Sequence, residues 1–246
     1  MVDEILLTED GHQLIQETAH HLLLEAVPEV SEPPWINLAK GTALPNGTTS
    51  HTINFGFTAG TGTVLVFIII GAVTHTVSAG GWTKRQGPVN SAELALFEVA
   101  GAGQTSITVT HNGADYSARW LCYEFRAGTT YTNSSSETAN DNTPPALGSL
   151  PGTKQVIIGA FGMDVSSLTG STSTTSWISP WVEDEDTFVN KSGTAFTDGS
   201  YLTVAHQINY TGSSITPPTI ALTDSGSPTY AVDRQKVMAA YNVPAS

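Results

Sequence analysis

Residues 63–71, Thr-Val-Leu-Val-Phe-Ile-Ile-Ile-Gly, form the most apolar run in the chain, and apolar character continues to about Val73. A membrane-spanning helix needs about 20 apolar residues, more than this run supplies. It is rich in β-branched residues and lies between Gly62 and Gly71, which favours a strand. A strand with one wet face alternates apolar and polar residues, whereas one apolar at successive positions must have both faces covered. The run is therefore expected to be the central strand of a β-sandwich.

The 246 residues suffice for a full core, and charged residues make up only 13%. Nine Lys plus Arg stand against 22 Asp plus Glu, a formal charge of −13 without any basic cluster. Nucleic-acid binding needs cations to neutralise phosphates, so that class of partner is excluded. Anionic lipid surfaces would repel the same charge, and no membrane insertion is expected. The single cysteine, Cys122, lies in the apolar run Trp120-Leu121-Cys122-Tyr123 and reads as a small buried hydrophobe. The opening Met-Val-Asp-Glu lacks the basic-then-apolar layout of a signal peptide, which implies synthesis in the cytoplasm.

Residues 5–25 carry a repeat of eight residues: Leu6, Leu14 and Leu22 correspond, as do Leu7, Ile15 and Leu23, and Glu9, Glu17 and Glu25. Eight residues overshoot two helical turns by about 80°, so the apolar pairs would spiral around a helix and form no stripe. Short strands with turns accommodate the spacing and are the favoured reading, with a helix over residues 12–26, where Gln-Glu-Thr-Ala-His-His-Leu-Leu-Leu-Glu is a fair helix composition, as the rival. Three such strands cannot bury their own leucines, since a small isolated sheet is marginal. Leu6, Leu7, Leu14, Ile15, Leu22 and Leu23 are therefore the candidate docking or oligomerisation residues of an N-terminal arm, residues 1–30, with a trimer favoured. Ser31-Glu32-Pro33-Pro34 then reads as an extended linker, ahead of a β-sandwich domain over residues 35–246.

Within that domain a cycle occurs twice. In the first pass an apolar strand is followed by Gly81-Trp82-Thr83, a strand over residues 92–99, another over 106–110, and a Tyr/Trp-rich strand over 116–125. In the second, residues 155–161 answer the apolar strand and Ser176-Trp177-Ile178 the Trp turn. Residues 201–208, 219–223 and 229–241 answer the remaining three strands, and residues 128–155 read as a crossover without strong structure. The expected fold is all-β: a two-sheet antiparallel, jelly-roll-like sandwich of about eight strands from two four-strand halves, with strands of both halves interleaved.

This order of motifs, with Ala-x-Leu-x-Leu-Phe-x-Val-Ala-x-Gly in its middle and the Leu-Leu-x-Glu-Asp-Gly leader before it, resembles bacteriophage virion β-sandwich proteins. More narrowly, it resembles the minor tail proteins of phages infecting actinobacteria. The resemblance implies a non-enzymatic structural protein of the virion, made in the host cytoplasm. A tail-tip or fibre station is favoured over the capsid surface, with other virion proteins as partners. It brings no catalytic residues. The alternatives it leaves open are a capsid decoration protein and a host-glycan-binding adhesin.

No Gly-x-Ser-x-Gly or His-Glu-x-x-His pattern occurs. His206, in phase with Leu202, Val204 and Ile208, reads as a hydrogen-bonded core histidine, while His75 and His111 flank turns and are expected to be solvated. No cofactor is expected; the weak metal candidates are two. Glu183, Asp184 and Asp186, in an acidic run expected to be a solvated loop, could offer oxygens to Ca²⁺. His20 or His21 could share an ion near an oligomer axis. Among the five tryptophans, Trp181, beside Pro180 and the acidic run, is the one expected at the surface as a recognition residue for a host glycan.

Overall fold

A computed structural model describes residues 6–7, 13–17, 21–25, 33–43, 49–71, 74–77, 80–87, 93–111, 118–139, 141–167, 172–190, 199–225, 229–230 and 234–244. The chain divides into two compact units, Met1–Pro33 and Pro34–Ala245. In the first, β1 (Leu6–Leu7), β2 (Gln13–Glu17) and β3 (His21–Glu25) form an antiparallel sheet in chain order. Leu6 pairs with Leu14, Leu14 with Leu24, Ile15 with Leu23 and Gln16 with Leu22. All six candidate docking residues thus lie on these strands, as does His21, while His20 falls outside the described residues.

Among the described residues the second unit is all β, and its first half contains eight strands. They are β4 (Trp35–Ala43), β5 (Ser50–Asn54), β6 (Val64–Gly71), β7 (His75–Val77), β8 (Thr83–Gln86), β9 (Glu93–Ala100), β10 (Ser106–His111) and β11 (Ala118–Phe125). A large sheet runs β4-β11-β6-β9-β8 and a small one β5-β10-β7. The second half contains β12 (Thr130–Thr138), β13 (Gln155–Ser167), β14 (Thr172–Ser176), β15 (Val182–Asn190), β16 (Gly199–Tyr210), β17 (Ala221–Ser225), β18 (Thr229–Tyr230) and β19 (Gln235–Asn242). Its large sheet runs β12-β19-β13-β16-β15, with β18 joined to β13, and its small sheet is β14-β17.

The two halves repeat one topology. Numbered within the first half, the large sheet reads first-eighth-third-sixth-fifth and the small sheet second-seventh-fourth. The second half follows the same scheme, with a single bridge between Leu147 and Ile215 where β5 pairs β10. The correspondence read from sequence maps onto it: β13 answers β6, β16 answers β9, β17 answers β10 and β19 answers β11. Two expectations are corrected. Among the described residues each half keeps its strands to itself, with no interleaving, and each contributes about eight strands where the sequence suggested four. Some of the extra ones are short, and β12 (Thr-Tyr-Thr-Asn-Ser-Ser-Ser-Glu-Thr) contains no buried position to create a periodic signal, while β4 and β15 are longer but bury little apolar side chain.

The large sheets pack on each other: β6 lies against β13 and β16, β11 against β16, β9 against β19 and β8 against β12. Side chains alternate accordingly. Val66, Ile68 and Ile70 of β6 meet Val156, Ile158, Ala160, Leu202, Val204, Val237 and Ala239 in a central core. Leu65, Phe67 and Ile69 point the other way, onto Ile53, Phe55, Ile107 and Val109 under the small sheet. Across β13, Ile157, Phe161 and Met163 likewise face an outer core with Trp177, Trp181 and Ile220. Every residue from Leu65 to Ile70 is fully buried, which is why the run is apolar without alternation.

The central contact is close at Gly162, where a Cβ would stand 2.9 Å from Cγ1 of Ile70. Overpacking of this kind costs about 1–3 kcal/mol. Gly162→Ala is expected to lower stability by that amount in urea unfolding. In the Ile70→Val background the added cost should shrink. Strict additivity of the two substitutions would show that the sheets do not meet there.

Candidate functional site

The polar residues concentrate at the rims of the central layer and in the small sheet of the first half. The acidic run, expected in a solvated loop, forms part of β15. Glu183 pairs with Ala205 and Glu185 with Val204, so Asp184 is an extra residue in the strand, a β-bulge. The bulge divides the four carboxylates between two faces.

Asp184 and Glu185 turn toward the first half. The Tyr123 hydroxyl donates to Asp184 Oδ2 at 2.5 Å, and His206 Nδ1 lies 2.7 Å from the same oxygen. Trp35 sets its ring edge-on against His206, with centroids 4.6 Å apart. Glu185, 2% exposed, pairs with Arg119 at 3.0 Å and Lys40 at 3.5 Å. Lys40 also donates to the Asp184 carbonyl at 2.6 Å. Burial, and next the charge of Asp184, pushes the Tyr123 phenol well above its ordinary value, so it remains a donor. His206 is a buried, hydrogen-bonded histidine, as its phase with Leu202 and Val204 predicts.

Glu183 and Asp186 turn the other way, toward β14. Glu183 Oε1 accepts from the Trp177 backbone N–H at 3.2 Å, and Asp186 accepts from the Thr175 and Tyr201 hydroxyls. Both carboxyls are raised, chiefly by burial, and Glu183 next by the charge of Asp186. The Ca²⁺ candidates Glu183, Asp184 and Asp186 therefore do not converge. Among the described residues no group of three or more His, Cys, Asp or Glu is gathered closely enough to hold a metal ion as it stands.

Trp181, expected at the surface, is 6% exposed and packs against Trp177 with centroids 5.1 Å apart. Its backbone N–H donates to the Ile178 carbonyl at 3.2 Å, and this turn places the indole inward and Ile178 and Val182 outward, 56% and 55% exposed. Cys122 is buried as expected, and burial followed by the nearby Glu124 charge pushes its thiol well up.

The small sheet of the first half brings together three histidines that sequence reasoning had left scattered. His75 on β7 pairs directly with His111 on β10. His51 on β5 pairs with Val109, two residues from His111 along β10. The His51 and His111 ring centroids are 5.7 Å apart. His75 is fully buried and His111 4% exposed, which overturns their expected solvation. The signal was present in sequence: His111 continues the inward phase of Ile107 and Val109, and His51 that of Ile53. Burial, then the neighbouring His111, lowers His51 to about 4. Burial, then His111, His51 and Lys84, lowers His75 to about 3. Both are neutral at pH 7.

The fold and these clusters define a four-layered all-β sandwich with polar rims. Compared with protein-family models, curated proteins and solved structures, the chain matches none of them.

Two outcomes follow from the site. Glu185→Gln leaves Arg119, whose side chain is 16% exposed, without its full counter-charge and should cost about 3 kcal/mol of unfolding free energy. The cost should vanish largely in the Arg119→Met background.

Because folding lowers the pKa of His51 and His75, their contribution to stability is present above about pH 6.5 and lost as pH falls through their folded values. Glu183 and Asp186, whose values are raised, act in the opposite sense nearer pH 4. The urea midpoint is expected to fall between pH 7.5 and 5, with a shallower slope in His75→Leu. An identical slope in that variant would refute the assignment.

Proposed function

We propose that the protein is a non-enzymatic structural component of a bacteriophage virion, in the minor tail, tail-tip or fibre class, serving assembly or contact with the host surface. The observation that carries this reading is where the polar groups go. Tyr123, Asp184, His206, Glu185 and Arg119 are used to close one rim of two stacked sheets, and Glu183 and Asp186 to bind the layer beside it. Such a use of acid and base groups suits a part that must resist deformation. The sequence resemblance supplies the virion context, and the separate N-terminal sheet with its leucines supplies a means of docking onto neighbouring subunits or a trimer partner.

The adhesin alternative drew on a Thr- and Ser-rich sandwich with spare aromatics, and the burial of Trp181 takes one of those aromatics from it. Capsid decoration remains the competing station.

Antibody labelling of intact particles in electron micrographs tests the reading, with gold expected at the tail. Label at the head would move the protein to the capsid surface, and particles without label would remove it from the virion. Light scattering of the full chain is expected to give a trimer, and deletion of residues 1–30 a monomer. A monomeric full-length chain would refute the docking role of the leader.

A further inference from the structure

The small sheet β5-β10-β7 has two unlike ends. At one end stand His51, His75 and His111, on the face turned toward the core beside Ile53, Val77 and Val109. β7 follows β6 after residues 72–74, which sets this end over the Gly71 end of the large sheet. There the large sheet offers small residues, with Ala43, Ala118 and Gly71 in register. The opposite end is tied down. The Phe55 N–H donates to the Thr105 carbonyl at 2.9 Å, that of Ala59 to Gln104 at 2.8 Å and that of Gly103 to Ala59 at 3.0 Å. The Gly101 N–H donates to the Thr63 carbonyl at 2.7 Å, just ahead of β6, and the Gly60 N–H to the Glu124 carboxylate of β11 at 2.7 Å. Between the ends, β5, β10 and β7 form ladders with each other, and their inner face is held to the large sheet by apolar packing.

We propose that this sheet is an acid-sensitive flap, hinged at residues 55–63, whose histidine end parts from the large sheet when the imidazoles take up protons. A neutral imidazole sits in the layer at modest cost, whereas an imidazolium is a charge in an apolar layer beside a second one. Burial, then His111, holds closed His51 at about 4. Burial, then His111, His51 and Lys84, holds closed His75 at about 3. In the open form both return toward about 6.5. Values lowered by closing favour the closed form above about pH 6.5, and that preference is lost as pH falls. At pH 5 each of the two histidines shifts the balance toward the open form by about thirtyfold, and the pair by about a thousandfold. Among the described residues, the other titratable positions on the facing layer are Lys84 of β8, Glu93 of β9, and Cys122 and Glu124 of β11. β4 and β6 place none on that face. Opening bares Ile69, Trp120 and Val109, an apolar surface that neutral pH keeps covered. The proposal is independent of the virion reading.

The test is hydrogen exchange of the full chain at pH 7.5 and pH 5, read by mass spectrometry and corrected for the intrinsic exchange rate. Over residues 49–54 and 106–111 the opening constant is expected to rise about a thousandfold at pH 5, together with binding of an apolar dye. Residues 155–163 and 235–242, in the large sheet of the second half, should keep their protection. His75→Leu and His51→Gln should each reduce the rise to about thirtyfold. His51 is half-buried, so its variant decides the matter if the other fails to fold. Protection lost evenly in both halves would be global unfolding and would overturn the flap. So would unchanged protection over residues 49–54 and 106–111, or the full rise in a folded histidine variant.

Discussion

The contact between the two large sheets is the constraint from which the rest of the second unit follows. Each of these sheets has one face on the other and its opposite face under a small sheet, so its central strands are wet on neither side. A strand in that position must be apolar at consecutive residues, and β6 from Leu65 to Ile70 is. Such a stack has little room for charge in its layers, consistent with the 13% charged composition. Charged groups are pushed to the rims, where β4 and β11 meet β15 and β16, and where β8 meets β12. At the second rim Gln86 exchanges hydrogen bonds with Ser134 and Ser136, and Arg85 lies 4.3 Å from the Tyr131 ring centre.

The two rims are the same contact made twice. The first-half order β4-β11-β6-β9-β8 faces the second-half order in reverse, so third strand meets third and eighth meets sixth. At either rim a first strand approaches a fifth. This is the arrangement of an isologous dimer, in which one surface binds its own copy about a twofold axis, here within a single chain. It explains why the halves do not exchange strands: each is closed by its own pairing, and only faces remain to be joined. Gln235 adds a polar tie through that joint, accepting from the Leu94 N–H.

The strongly apolar, doubly buried strands were legible in the sequence, and so was the duplication, because Trp82 and Trp177 both precede a fifth strand and mark the phase of each cycle. The leader's strands were legible for a geometric reason, that a repeat of eight fits no helical stripe. The polar strand β12 was not legible, since a rim strand without a buried position has no period to detect. The division of the acidic run by the bulge at Asp184 is a tertiary effect: one residue inserted opposite Ala205 and Val204 changes which carboxylates share a face. Trp181 was misjudged because a polar neighbourhood in sequence was taken as one in space, while the turn from Ile178 points the indole inward.

Where the halves agree, the residues answer to packing, and only their differences are free to carry something else. Gly159 and Gly162 accommodate Trp177 and Ile70 and belong to the packing. The buried histidines of the sheet β5-β10-β7 are such a difference, since β14 (Thr-Ser-Thr-Thr-Ser) and β17 (Ala-Leu-Thr-Asp-Ser) contain none. The same reasoning separates the rims: one joins Asp184, His206 and Tyr123 in a hydrogen-bonded group, while the other relies on Arg85 over Tyr131 and on serines. Duplication thus acts as an internal control on function.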